Sequence, residues 1–328
     1  VPIIPMILVN GGKGIGTGFS TDILSYSIDQ IINYLKFKLK NMNIEYNGLE
    51  FEPSYRGFMG TCKKTDEKKY IVKGVYEKIN DKEVRVTELP IGYWTDDFKQ
   101  HIENLMDIDK DKNGKTKKQK ATVKDYNDMS TDTKVDIEIT FSESIDEKVE
   151  GTNEYNNFEK TMKLYTSLST NNMHLFNDEE KLIKFENEKA IVDSYYPVRL
   201  EYYQKRKTYM INTLEKELKV LSNKAKYIQE VLEGTIDLRK KKKDEILIML
   251  QDKQYDKIDD DSEYKYLLKM SMDSVSEENV EKIMKDCDNK NKELMALKGT
   301  TIENMWLKEL EELKDYINTP KSIKIKKK

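Results

Sequence analysis

Apolar positions along the chain follow three different spacings. The first stretch, residues 1–60, is the most apolar and the richest in glycine. The run Val1-Pro2-Ile3-Ile4-Pro5-Met6-Ile7-Leu8-Val9-Asn10 ends in Gly11-Gly12-Lys13-Gly14-Ile15-Gly16-Thr17-Gly18. After it, Ile28, Ile31, Ile32, Leu35 and Leu39 share one helical face, with Ser27 and Asp29 as capping residues. Residues 55–190 read mostly as strands. Tyr70–Val72, Glu83–Thr87 and Val135–Phe141 alternate with period two, and a helical piece spans Thr95 to Met106. From residue 188 the period changes again. Ile211, Leu214, Leu218, Leu221, Ala225, Ile228 and Leu232 are spaced 3,4,3,4,3,4, a heptad seam that Gly234 would end. Residues 240–317 return to helical spacing. Short helices are predicted at Ile246–Leu250 and Tyr264–Met270. A longer one opens at Ser276 and carries Ile283, Cys287, Lys290, Leu294 and Leu297, and Trp306, Leu310, Leu313 and Ile317 continue the pattern beyond a break near Gly299. One helix goes out, a helical knot forms the tip and another helix returns: an antiparallel arm.

Composition agrees with long solvated helices. Of the 328 residues, 37% are hydrophobic and 36% charged, and 9% are aromatic, too many for full disorder. The net charge of -3 excludes a uniformly basic DNA-binding domain, so any nucleic-acid contact must come from local patches. No apolar run reaches the roughly 18 residues a membrane span needs, and no membrane partner is expected. The chain opens with Val1 and shows no signal peptide, which fits an excised piece or a processed product. Two cysteines make no disulfide framework and fit a reducing compartment. His101 and His174 lack partners at metal-ligand spacing, so no metal site is expected.

Each candidate for chemistry has a plain structural alternative. Gly14, Gly16 and Gly18 fit neither a dinucleotide fingerprint nor a P-loop, because their spacing differs and Lys13 is followed by glycine. The loop either lets a backbone approach phosphate, or makes a tight turn with Ile15 tucked into the core. The run from Lys163 to Met173 is rich in hydroxyls and amides and offers hydrogen bonds to phosphates, or is ordinary strand and turn. Trp94, after Pro90-Ile91-Gly92-Tyr93, is either a core plug or an aromatic surface. Arg239–Lys243 reads as a solvated helix start. Asp109-x-Asp111-x-Asn113-Gly114 imitates a calcium loop, but Lys120 stands where a bidentate Glu is needed, and Asp107–Lys120 reads as a disordered insertion. No nucleophile–base set and no two-metal acidic cluster is present, so no catalytic residue is assigned.

Taken in order, several segments resemble the DNA breakage-and-rejoining half of eukaryotic-type (type IIA) DNA topoisomerase II. Pro2–Gly11 followed by Gly14-Ile15-Gly16-Thr17-Gly18 is similar to that family's most recognisable run. Ser54-Tyr55-Arg56-Gly57-Phe58 with Gly60-Thr61, Glu88-Leu89-Pro90 with Trp94-Thr95, and Thr166-Ser167-Leu168 with Asn171 and Met173 follow in the family's order. Arg199-Leu200-Glu201-Tyr202-Tyr203 with Arg206-Lys207, and Tyr264–Leu268, complete the series.

The resemblance implies an α+β fold: a mixed α/β tower region, then a long antiparallel coiled-coil arm with a small helical exit-gate domain. Residues 1–26 would end a winged-helix region and carry the DNA-wedging loop. Residues 27–187 would be the tower, 188–235 the descending helix, 236–275 the exit-gate dimer domain, 276–318 the returning helix and 319–328 a basic tail. It also implies roles. Ile15 would wedge between base pairs and bend the duplex, which reverses the tucked-in alternative. DNA contacts are implied for Lys13, Gly14, Gly16, Thr17, Ser54, Tyr55, Arg56 and Trp94. They are implied also for Lys163, Leu164, Tyr165, Thr166, Ser167, Leu168, Ser169, Thr170, Asn171 and Asn172. The implied partners are double-stranded DNA and a second copy of the chain, and the implied compartment is the nucleus. The family's catalytic tyrosine, metal-binding acids and ATPase lie upstream, so Mg2+ and ATP would serve the full enzyme and not this chain alone. The chain departs from the family at Lys13, where an acid is common, at Tyr165, where Gln is common, and at Pro197, which would start or kink the descending helix. The rival reading is a structural coiled-coil tether that never touches DNA.

Overall fold

The computed structural model describes residues 1–40, 50–106, 121–150, 154–239, 241–258, 261, 263–271 and 275–319. They form two compact units, Pro2–Tyr196 and Pro197 onward. The calcium-like loop, the insertion at 107–120 and the basic tail lie outside the described residues.

The first unit begins with helix α1 (Met6–Asn10) and a hairpin of β1 (Gly12–Ile15) and β2 (Ser20–Ile23). The register pairs Gly12 with Ile23 and Ile15 with Ser20, so Ile15 is the last residue before the hairpin tip. Helix α2 (Ile28–Lys40) buries Ile31, Ile32, Leu35 and Leu39, four of the five positions the spacing predicts for its inner face. Tyr26 and Tyr34 meet the Phe51 ring edge-on at 6.0 and 5.8 Å. Strands β3 (Thr61–Asp66) and β4 (Lys69–Lys73) follow, then β5 (Val75–Asn80), β6 (Glu83–Glu88), helix α3 (Thr95–Met106), β7 (Val123–Asp128), β8 (Ile137–Phe141), helix α4 (Asn157–Thr161) and β9 (Tyr165–Ser169). The last elements of the unit are β10 (His174–Phe176), β11 (Leu182–Lys184) and the start of α5 (Glu188–Leu232).

Two antiparallel sheets carry this unit: β5-β6-β8-β7 and β3-β4-β9. The first sheet has one inner face. Val84, Val86, Ile137, Ile139 and Phe141 point inward, and Phe98 and Ile102 of α3, one turn apart, cover them. Outward-facing Arg85 makes a bidentate pair with Asp136, at 2.7 and 2.6 Å. In the second sheet β4 lies between β3 and β9, so its Tyr70 and Val72 are buried.

The second unit holds the rest of α5, then α6 (Lys243–Asp252), α7 (Lys265–Leu268), α8 (Glu277–Gly299) and α9 (Ile302–Asn318). Ser276 and Thr301 cap α8 and α9 by accepting from the backbone N–H three residues on. Charges on α5 and α8 pair in antiparallel order: Glu215 with Lys298 at 2.7 Å, and Glu217 with Lys290. Polar Lys290 therefore keeps its place on the seam through an ion pair. At the tip, Tyr227, Ile236, Leu250, Tyr255, Tyr264 and Leu267 form a small core. At the other end, Trp306 is fully buried and stacks on Tyr203 at 5.5 Å. Glu309 accepts from Tyr203 Oη at 2.5 Å and from Arg206 at 2.6 Å.

Two expectations for the arm change. Leu232 is 46% exposed and does not extend the seam, because α5 ends there and the chain turns through Gly234 with φ +75°. Pro197 does not start the helix. Helix α5 begins nine residues earlier, at Glu188, and runs through Pro197.

Candidate nucleic-acid interface

The implied contact residues lie on four segments of the first unit, and backbone and side-chain bonds join these segments. The β1–β2 hairpin is tied to the run after β9. Asp22 N–H donates to Asn172 O at 2.8 Å, and Asn172 Nδ2 donates to Ser20 Oγ at 2.6 Å. Strand β9 is tied to the Trp94 turn, where Thr166 Oγ1 donates to Ile91 O at 2.9 Å. The Ser54 segment hangs from the residues after β2 through Ser54 N–H to Ser25 O at 2.8 Å. Its continuation, Thr61, opens β3 in the same sheet as β9.

Two alternatives from the sequence are overturned by exposure. Ile15 is 93% exposed, so it is not tucked into the core. Glycines on both sides carry no side chain to cover it. Gly16 is required sterically: a Cβ there would come within 2.9 Å of the Phe19 ring. The tip is closed by Gly16 N–H donating to Phe19 O at 2.8 Å, and Phe19 lies tilted against His174 at 6.5 Å. Trp94 is 74% exposed, so it is an aromatic surface and not a core plug. The plug in that region is Phe98, one turn further on.

The other residues divide. Lys13, Gly14, Thr17, Ser54, Arg56, Lys163, Ser167, Ser169 and Asn171 are exposed. Lys13 faces Asp22 in the hairpin register and pairs with it at 3.1 Å, so its charge is partly offset. Arg56 has no ion-pair partner among the described residues. Tyr165 stacks flat on Tyr155 at 3.9 Å, and burial followed by a hydrogen bond with Tyr155 pushes its hydroxyl up to about 12. Burial likewise pushes the Tyr55 hydroxyl up to about 12, so both remain hydrogen-bond donors at neutral pH. Leu164 and Thr170 are corrected. Leu164 is 1% exposed inside the core of the four-stranded sheet, and its carbonyl accepts from Gly74 N–H. Thr170 is 6% exposed and its N–H donates to Lys68 O. Both side chains shape the surface from beneath and do not line it. Leu168 is half-buried by strand alternation.

Sequence reasoning missed what braces this surface. Buried Glu159 accepts from Lys73 Nζ at 2.8 Å across to β4, and also accepts from Asn156 N–H in a capping box. That box, Asn156-x-x-Glu159, was readable as a helix start before β9. His174 and Ser20, which hold Asn172 from two sides, carried no readable signal. Among the described residues no group of three or more His, Cys, Asp or Glu could hold a metal ion. Among the same residues no helix is long and apolar enough to cross a membrane.

The DNA gyrase/topoisomerase IV family matches residues 1–311 of the chain. The chain belongs to this family. Within it, the similar relatives are eukaryotic in type. DNA topoisomerase 2 of Arabidopsis thaliana is 34% identical over 95% of this chain and 23% of the relative. DNA topoisomerase 2 of Penicillium chrysogenum is 32% identical over 97% of this chain and 20% of the relative. A solved structure, the Plasmodium falciparum topoisomerase II DNA-binding, cleavage and re-ligation domain, is 30% identical with a TM-score of 0.80. The match covers 97% of this chain and 44% of that one. The chain thus spans about a fifth to a quarter of the length of the curated relatives it matches. Its sequence and fold are those of a region of the type II topoisomerase DNA breakage-rejoining core.

Proposed function

We propose that this chain is the DNA-bending, tower and exit-gate part of an ATP-dependent type II DNA topoisomerase. That enzyme would pass one duplex through a transient double-strand break in another. Ile15 enters between base pairs and kinks the duplex toward the sheet-rich unit, at a cost of a few kcal/mol of unstacking. Contacts from Arg56, Trp94 and the Lys163–Asn172 run to the bent flanks offset that cost. The arm leads to a tip at 236–275 through which two copies meet. The observation that carries this reading is the display of Ile15, fully solvated on a glycine-bounded hairpin and hydrogen-bonded into the surface that bears the other candidates.

The chemistry of strand cleavage belongs elsewhere in the full enzyme under this proposal. No described cluster in this chain fits Mg2+, and the chain's own residues take no step that needs it. The compartment proposed is the nucleus. A tether that ignores DNA would need the arm but not the wedge, and the family match runs through both. Duplex binding measured from low to high salt tests the reading. Log affinity should fall linearly with log salt, one unit of slope for roughly each phosphate contacted. A chain that shows no binding and no slope would be a tether.

A further inference from the structure

Ile15 is not the sole apolar side chain displayed beside a sterically required glycine. Met59 is 77% exposed and stands between Phe58 and Gly60. The two displays are built alike. At Gly16 an added Cβ would meet the Phe19 ring; at Gly60 it would come within 2.3 Å of the Phe58 ring and 2.0 Å of Lys73 O. In both places glycine lets the backbone press against its own unit while the preceding apolar side chain is left in solvent. The Met59 loop is also held at its base. Phe58 N–H donates to Tyr55 O at 3.1 Å, and the Phe58 and Tyr55 rings meet edge-on at 6.5 Å.

Its position and surroundings favour a polyanion. Gly60 leads into β3, whose Thr61 pairs with Lys73 of β4, and Lys73 pairs in turn with Tyr165 of β9. That row lies at the end of the sheet where Thr166 holds the Trp94 turn. Two strand spacings, roughly 10 Å, separate β3 from β9. Met59 and Trp94 are thus displayed from the two edges of one three-stranded sheet. Arg56 is exposed three residues before Met59, and the loop from Ser54 to Thr61 contains no acid. A methionine suits a surface that must accept any sequence, since its unbranched thioether adapts to the shape it meets.

We infer that Met59 is a further DNA-contact residue, packing on the sugar and base edges of the duplex in its shallow groove while Arg56 pairs with a neighbouring phosphate. The inference rests on the proposed function. The test uses the full chain carrying Met59→Cys, Trp94→Cys or Ile15→Cys, with the parent chain as control for Cys62 and Cys287. Each is mixed with a duplex whose backbone phosphorothioates bear a thiol-reactive bromoacetamide. Cross-linking of Met59→Cys well above the parent, at nucleotides near those reached from Trp94→Cys, is the expected result. Cross-linking from Trp94→Cys and Ile15→Cys with Met59→Cys at the parent level would overturn the Met59 assignment and leave the proposed function standing. No cross-linking from any of the three would overturn both. In parallel, Met59→Ala should weaken duplex binding about threefold, in line with the apolar surface removed. The salt slope should not change, because no phosphate contact is lost. An unchanged affinity would count against the assignment.

Discussion

The two units use their apolar side chains in opposite ways. In the sheet-rich unit, Val84, Val86, Phe98, Ile137 and Ile139 are fully or almost fully buried, and a few others, Ile15 and Trp94 first among them, stand out in water on tight turns. A distributed core holds the scaffold still while the displayed side chains face outward. The arm has no such surplus. Its seam is half-buried, crossed by charges, and fully buried only near the tip and near Trp306. Rigidity in the first unit comes from a layer of packing; in the second it depends on a few junctions. The first design suits a surface that must resist a bent duplex, and the second a long spacer that transmits force between its ends.

The sharpest way to break this contrast is at the arm's largest junction. Trp306→Ala should remove about 4 kcal/mol of arm stability. Hydrogen exchange should then rise along α8 and α9 while β6 and β8 keep their protection; equal loss in both units would show that the arm is not held by local junctions. A smaller effect is expected at the break between α8 and α9. There Lys207 Nζ donates to the carbonyls of Lys298 and Thr300, at 3.2 and 2.7 Å. Lys207→Met should cost about 2 kcal/mol, read as a lower urea midpoint for the arm. At the tip, Ile248 is exposed on α6. Placing a charge there with Ile248→Glu should weaken self-association at least about tenfold by sedimentation, roughly 1.4 kcal/mol. An unaltered dimer would remove the proposed contact at 236–275.

The smallest effect concerns acid in the sheet-rich unit. Bonds from Lys99 first, and then Ser130, hold the Asp128 carboxyl down at about 2, against an ordinary value of 3.8. A depressed carboxylate stabilises the fold fully above its unfolded value, and that contribution is lost as pH falls from about 4 to about 2. Asp128→Asn should therefore flatten the acid dependence of the melting temperature in that window and leave it unchanged near neutrality.

The contrast also explains what could be read in advance. The arm's helices follow a single repeated spacing, so Ile211, Leu214, Leu218 and Leu294 announce both the element and its buried face. Its ends were less legible. Leu232 fits the period but lies where the helix stops, a matter of turn geometry and not of spacing. In the sheet-rich unit β4, β6 and β8 showed period two, whereas β1, β2 and β10 are short, and tertiary partners decide them. The candidate site was legible through its motifs and not through physics. Nothing in the spacing of Gly14-Ile15-Gly16 told a solvated Ile15 from a buried one, and Trp94 was equally ambiguous. Strand alternation turned Leu164 and Thr170 inward within a run that otherwise reads as one polar surface.

The central claim is that Ile15 bends DNA, and one measurement addresses it directly. A duplex labelled with a donor and an acceptor at its two ends would be bound by the parent chain and by Ile15→Ala. Ile15 is solvated, so the variant should melt at the parent temperature. The account predicts high energy transfer for the parent duplex and a return close to the free-duplex value for Ile15→Ala, with binding retained through the flanking contacts. Equal bending by the two proteins would contradict it.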